Sequence, residues 1–388
     1  MPLKRNISLF YLHRFLNEFY LIAPILIPYY QIHRFGIWAF YVAQSIYALT
    51  ILLTEVPSGY LADVIGRRKT LIIGAVFLPA GLLLYGLGRS LWLFWLAEFA
   101  MAIGNSMRSG SDSALLYDSF LNMNKEAEYQ RVEGKGHQFA RIGTAVASVA
   151  GGLLAAIAIT LPFWVNVPIA LAILPVSMMM TEPERRTPEK ENPGRAILRI
   201  AAASLRDRSL RPFLLFFSLL GSVSIVALWS FFIYYQKLRI PLTWFGVLFA
   251  VYQGMGALGA SRSRVLARRI GGRRTLMLSL LIAPTLLLLG WKLALFMLPL
   301  IMLHPLVWNL SVPILLNQIN LKTESRVRAT VLSLANMGLS LAYVMTAPVF
   351  GFAAERVPLR LAFWGLALFF MVFAIPLLVS MKREWKAD

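Results

Sequence analysis

Two groups of polar and ionisable residues stand inside otherwise apolar stretches, and they are the residues with chemistry to offer. In "AEFAMAIGNSMRSGSDSALLYD" (97–118), Glu98, Asn105, Arg108 and Asp112 follow one another at steps of seven, three and four residues. That spacing stacks them on one side of an α-helix. At 1.5 Å per residue the line covers about 21 Å of depth. In "NISLFYLHRFLNEFYLIAP" (6–24), His13, Asn17, Tyr20 and Pro24 share a face, with Arg14 and Glu18 beside it, four residues apart. Burial disfavours the charged form of a carboxyl group, so Glu18 or Glu98 is expected to take up and release a proton if protons drive the chemistry. No Lys or Arg stands within a helical turn of Glu98 in the sequence, which favours a functional reading there. For Arg14 and Glu18 two readings stay open: an ion pair that only orients its helix, or a working pair.

The elements that carry these residues are set by composition. Of 388 residues 58% are hydrophobic and 14% charged, so lipid must be the solvent for much of the surface. Cysteine is absent, which removes disulfides, thiolate metal sites and cysteine nucleophiles. The four histidines are scattered, and no phosphate-binding G-x-x-x-x-G-K loop or G-x-S-x-G elbow occurs. Neither an enzyme nor a bound cofactor or metal is expected. The start, "MPLKRNISLF", is basic and then apolar, but the apolar run is too long for a signal peptide and lacks a small-residue cleavage site. It reads as a retained first span.

A bilayer core needs roughly 20 apolar residues per helix. Cutting at charged and turn-rich breaks gives twelve candidate spans, near 7–32, 38–62, 70–87, 91–115, 139–157, 162–180, 212–235, 244–266, 275–289, 293–316, 329–354 and 359–380. Arg14, Arg108 and Arg141 lie within or at span ends. Of the other Lys and Arg residues, 28 fall in one set of alternating loops and 7 in the other. By the positive-inside rule, both termini and the long middle segment are cytoplasmic, in a bacterial inner membrane. The net charge of +20 is thereby a topology signal, and a nucleic-acid partner has no support. The predicted organisation is a six-helix unit over 1–180, a cytoplasmic linker with an amphipathic helix over 181–211, and a second six-helix unit over 212–388.

The halves look duplicated. "LADVIGRRKTL" (61–71) and "LARRIGGRRTL" (266–276) match at seven of eleven positions without a gap, at an offset of 205 residues. "GYLADVIGRRKTL" (59–71) resembles the inner-loop signature of the major facilitator superfamily, G-x-L-A-D-x-x-G-R-[RK]-x-x-L, and fills every specified position. The resemblance implies an all-α membrane protein with 12 transmembrane helices in two pseudo-symmetric six-helix bundles. It further implies a central cavity open to one side at a time and a solute carried by alternating access. In such a loop Gly59 is expected to permit close helix approach and Gly66 a tight turn. The resemblance makes Asp63, Arg67 and Arg68 an inner-gate ion network, with Asp118 as the partner of Arg67 and Glu55 beside them. Arg108 and Asp112 are read as gate or structural residues, paired with each other or joined to that network. The second copy has Arg268 where the first has Asp63, so only the first half is expected to carry the full latch. The fifth-span pattern of the family's antiporters keeps its ends in "GTAVASVAGG" (143–152) but has Ala147 and Ser148 at its centre.

In this family spans one, four, seven and ten line the cavity, which lets the polar lines of spans one and four face water. In the second half, Trp229, His304, Trp308 and Asn309 are candidates to contact solute, Asn336 to reach the cavity and Arg328 to cap the gate. Tyr234 and Tyr235 read instead as an interfacial aromatic belt. The expected function is a monomeric secondary transporter of a small organic, amphiphilic solute, with export coupled to proton entry and membrane lipid as its surroundings. The alternatives are a lipid or lysolipid flippase of the same fold and a non-transporting membrane sensor.

Overall fold

A computed structural model describes residues 2–184, 193–324 and 327–385. Among these residues every regular element is a helix. Ten helices are long and apolar enough to cross a membrane. The expected spans one and four are missing from that set, and they are the two that carry the polar lines. Span one is a helix Pro2–Asn17, a non-helical stretch, a short 3-10 turn Ala23–Ile25 and a helix Leu26–Ile32. Span four is a helix Leu91–Arg108 followed by a second helix Ser111–Leu121. Gly110, at φ +78, makes the turn between them. Polar residues and broken helices therefore coincide.

Two compact units are formed. One comprises 1–35, 46–191 and 241–250; the other comprises 36–45, 192–240 and 251–388. The segment expected to be amphipathic is helical, Pro193–Arg206. Residues 185–192 of the expected linker lie outside the described residues, as does Arg326 ahead of span eleven. In the second unit the helix Arg211–Lys237 is apolar on all sides and buried along its length, packed against Leu298–Lys322, Arg328–Arg356 and Leu359–Glu384. Large apolar side chains stand outward on both units, Trp92 at 75% exposure and Val349 at 69% among them, as lipid-facing surfaces require.

The break in span one has to be accounted for, because non-helical backbone at membrane depth leaves amide and carbonyl groups without partners. Asn166, buried in the helix Leu161–Leu171 of span six, supplies them. Its side-chain oxygen accepts from Leu21 N at 2.8 Å, and its amide nitrogen donates to Phe19 O at 2.9 Å. One side chain thus replaces a lost donor and a lost acceptor. From the other side the fifth-span helix Tyr129–Ile157 comes into backbone contact with the break. A Cβ on Gly151 would collide with the Leu21 carbonyl, and one on Gly143 would meet the Phe15 carbonyl at 2.6 Å. The glycines of the altered fifth-span pattern therefore admit the broken first span.

Replacing Asn166 with leucine removes both partners while keeping the volume. Each buried polar group left unsatisfied costs about 1–3 kcal/mol, so a marked fall in the thermal midpoint in detergent is expected. A midpoint equal to that of the unmodified protein would show that the break is held by other means.

Candidate functional site

The first unit places a cluster of ionised side chains beside these two breaks. Arg108 closes the helix Leu91–Arg108, where a cation is favoured by the helix dipole, and Asp112 stands in the first turn of Ser111–Leu121, where an anion is. Asp112 accepts from its neighbour's amide, Ser113 N, at 2.7 Å. Into this corner reaches Arg14 from span one. Its Nε lies 3.0 Å from Asp112 Oδ2, an ion-pair contact without hydrogen-bond alignment. Its Nη2 donates to Ser113 Oγ at 2.6 Å and to Glu133 Oε1 at 2.9 Å. Ser113 Oγ donates in turn to Glu133 Oε1 at 2.8 Å. Arg108 completes the group, 3.7 Å from Asp112 and 3.4 Å from Glu18, and donates to Asn105 Oδ1 at 2.5 Å.

A cavity of about 380 Å³ opens on this group. Three arginines (Arg14, Arg108, Arg141) and three carboxylates (Glu18, Asp112, Glu133) line it, with His137 3.5 Å from Glu133. Arg14 and Asp112 are buried, so their mutual attraction acts in a medium of low polarity, and neither can lose its partner cheaply. Glu18 differs. Its side chain is 37% exposed, and Arg108 is its ion-pair partner at the long end of contact distance.

Several expectations need correction. Arg14 and Glu18 do not pair with each other, although they stand four residues apart. Glu18 closes the helix, its amide still bonded to the Arg14 carbonyl at 3.3 Å, but the two side chains take other partners: Arg14 meets Asp112 and Glu133, and Glu18 meets Arg108. The line from Glu98 to Asp112 is not one helical face, because the turn at Ser109 and Gly110 separates Asp112 from the other three. Glu98 is buried at 3% exposure and accepts a 2.5 Å hydrogen bond from Tyr85 OH. Tyr85 OH is 3.1 Å from Tyr30 OH, and Phe94 and Phe163 pack against the same rings. Glu98 thus sits in an aromatic pocket. His13 is buried, and Asn17 donates to its carbonyl at 2.9 Å.

The signature loop forms a second charged group. Gly66 has φ +113, a conformation that side chains resist, and begins the helix Arg67–Leu87. Arg67 donates to Asp118 and, at 2.5 Å, to the Ala114 carbonyl, while Asp63 lies 4.0 Å away. Arg68 donates to the Met178 carbonyl. Glu182 accepts from Arg67 N at 2.9 Å and Arg68 N at 2.7 Å, one carboxylate capping the first two amides of the helix. Glu55 is half-buried one turn before Gly59. At Gly59 an added Cβ would meet nothing within 4 Å, so that glycine is not kept for close helix approach.

In the second unit the candidates stand apart. His304 is fully buried, hydrogen-bonded to Thr285 Oγ1 at 2.8 Å with its ring edge-on to Phe231. Trp308 is half-buried against Phe217, and Trp229 against Phe40. Asn309 donates to the carbonyl one turn back, Pro305 O, at 2.8 Å. Asn336 is exposed, and Arg328 reaches the nearby Thr323 carbonyl. Tyr234 and Tyr235 are buried, Tyr234 bonding the Lys292 carbonyl, which overturns the interfacial-belt reading. Glu133, Asn166 and Glu182 carry no signal in the sequence that marks them as site residues. Glu133 and Glu182 lie in stretches whose polarity reads as loop, and Asn166 is a lone amide in an apolar span.

The family model of the Major Facilitator Superfamily matches residues 15–338. The chain belongs to that superfamily and is a multi-pass membrane transporter. Solved structures agree on the fold. A mutant of the nucleoside transporter NupG superposes with a TM-score of 0.82 at 12% identity, covering 99% of this chain and 100% of that one. A bacterial homologue of the human lysosomal transporter Spinster gives 0.77 at 14%, covering 100% and 98%. The POT family transporter PepTSo gives 0.76 at 12%, covering 98% of each. A comparison with curated protein sequences returned no match.

Removing the charge of Arg14 strands two carboxylates. Arg14→Met is expected to cost about 3–5 kcal/mol, the usual penalty for one partner of a buried pair. Arg14→Lys, which keeps the charge and loses the planar fork, should fall between. Thermal unfolding in detergent checks the order, and an Arg14→Met variant as stable as the parent would contradict the assignment.

Proposed function

We propose that this transporter moves a small organic solute bearing an ionised group by alternating access, and that protons drive it through Glu18. Solute and proton are inferred to move together, because the step that admits the solute is the protonation of Glu18; export against proton entry, the expectation from the sequence, would need the two to compete for the site. The observation that carries this reading is the contrast within the charged cluster. Arg14, Asp112 and Glu133 are tied together by short contacts, whereas Glu18 stands at the broken end of its helix, half exposed on the cavity, with a 3.4 Å ion pair to Arg108. Protonating Glu18 would remove one of the two carboxylates paired with Arg108 and leave that cation, still 3.7 Å from Asp112, with capacity to meet an anionic group of the solute. Glu98 fits the role less well, because its pocket is closed by tyrosines.

Solutes are found first by thermal shift with amino acids, dipeptides, nucleosides and organic acids, since binding raises apparent stability. Proteoliposomes loaded with a pH-sensitive dye then report proton movement with each hit. Glu18→Gln is expected to reduce gradient-driven transport to background while solute exchange continues, and Glu98→Gln to retain most of the driven rate. Full gradient dependence in Glu18→Gln would end the coupling assignment.

The proposed location is a bacterial inner membrane with both termini cytoplasmic, supported by the 28 to 7 distribution of basic residues. A green fluorescent protein fused to the C-terminus should fluoresce and an alkaline phosphatase fusion should be inactive; the opposite pair of results would invert the orientation.

A further inference from the structure

The duplicated loop has been built twice with the same backbone, once with carboxylates among its basic residues and once without them. Gly271 has φ +93 and ψ 142, against +113 and 143 at Gly66. Thr275 Oγ1 donates to the Gly271 carbonyl at 3.0 Å, as Thr70 Oγ1 does to Gly66 at 2.9 Å. The carboxylates that neutralise the first copy have no counterparts in the second. At the offset of 205 residues Asp63 becomes Arg268, and Asp118 becomes Thr323. Arg68 and Lys69 remain basic as Arg273 and Arg274.

This second turn faces a cavity of about 1170 Å³, the larger of the two described. Arg264, Arg268, Arg273 and Arg274 line it, and no carboxylate does among the described residues. None of the four forms an ion pair among those residues, and Arg273 Nε is shut off from water without an acceptor. Four like charges around one hollow repel one another unless an anion enters it. Much of the remaining lining is apolar: Pro313, Ile314 and Leu321 of span ten, with Asn317 between them, and Trp385. Guanidinium groups recognise phosphate oxygens with paired donors, and an apolar wall ending in tryptophan suits the glycerol and upper acyl region of a lipid.

We propose that this cavity binds the phosphate headgroup of an anionic membrane lipid, so that the second copy of the loop serves as a lipid receptor where the first serves as an internal ion network. The lipid phosphate then supplies the counterion that the arginines of the second copy lack among the described residues.

Native mass spectrometry of the full chain in detergent, titrated with phosphatidylglycerol against phosphatidylcholine, tests this. One phosphatidylglycerol is expected to bind with clear preference. A basic residue near a lipid surface contributes about 1 kcal/mol, or about fivefold in affinity, so Arg264→Gln with Arg268→Gln and Arg273→Gln should weaken binding by about a hundredfold. Arg268→Asp installs the residue that the first copy already carries at that turn, which keeps the test informative if the triple variant does not fold, and should weaken binding by at least about fivefold. Arg262→Gln with Arg269→Gln changes the same stretch outside the cavity and should leave binding unchanged. Equal loss in this control and the cavity variants would mean general charge attraction and would overturn the proposal. So would a thermal shift given by inorganic phosphate alone with no preference for phosphatidylglycerol, which would assign the cavity to a soluble anion.

Discussion

A helix that breaks inside a membrane has to find new partners for the backbone groups it releases, and in this protein local backbone turns and one side chain supply them. Asn166 takes the Leu21 amide and gives to the Phe19 carbonyl, spanning 145 and 147 residues of sequence to do so. Without such a replacement the stretch from Glu18 to Ile22 would be drawn back into helix, because hydrocarbon offers nothing to hydrogen-bond. Glu18 closes the helix, its amide still bonded to the Arg14 carbonyl at 3.3 Å, and the break begins directly after it, beside the charged group on which the transport assignment rests.

The same logic orders the rest of the first unit. At the end of the first helix Arg14 serves the Asp112 corner, and Glu18 meets Arg108. Span four breaks at Gly110 with a cation before the turn and an anion after it, so each half-helix meets a charge that suits its dipole. The result is a cluster with equal numbers of arginines and carboxylates, tight at one side and loose at Glu18. A group of this kind can change protonation at its loose member while the rest keeps its shape.

Much of this architecture was legible beforehand. Ten of the twelve expected spans, the repeated loop and the turn at Gly66 follow from apolar run length, a repeated motif and the freedom of glycine, all of which are local properties. Arg67 with Asp118 was legible from the family resemblance. What could not be read were the partners that cross between helices. Helical periodicity places Arg14 and Glu18 one turn apart, as they are, but it has no means of seeing that Asp112, Glu133 and Arg108 offer them partners on other helices. Glu98, with no cation within a helical turn, read as a functional carboxylate, and the sequence could not show that Tyr85, thirteen positions earlier on the neighbouring helix, gives it a hydroxyl. Glu133 and Glu182 lie in stretches polar enough to read as loops, and only packing shows that one completes the Arg14 site and the other caps a helix.

The dependence of the site on the held break can be read directly from amide hydrogen exchange at residue resolution across residues 17–25. If Asn166 holds the unwound strand, the Leu21 amide exchanges slowly, as slowly as amides inside the helix Pro2–Asn17, although Leu21 lies outside any helix. Rapid exchange at Leu21 would mean that the break is open to water and unheld, and the arrangement of Arg14, Glu18 and Arg108 derived from it would be wrong.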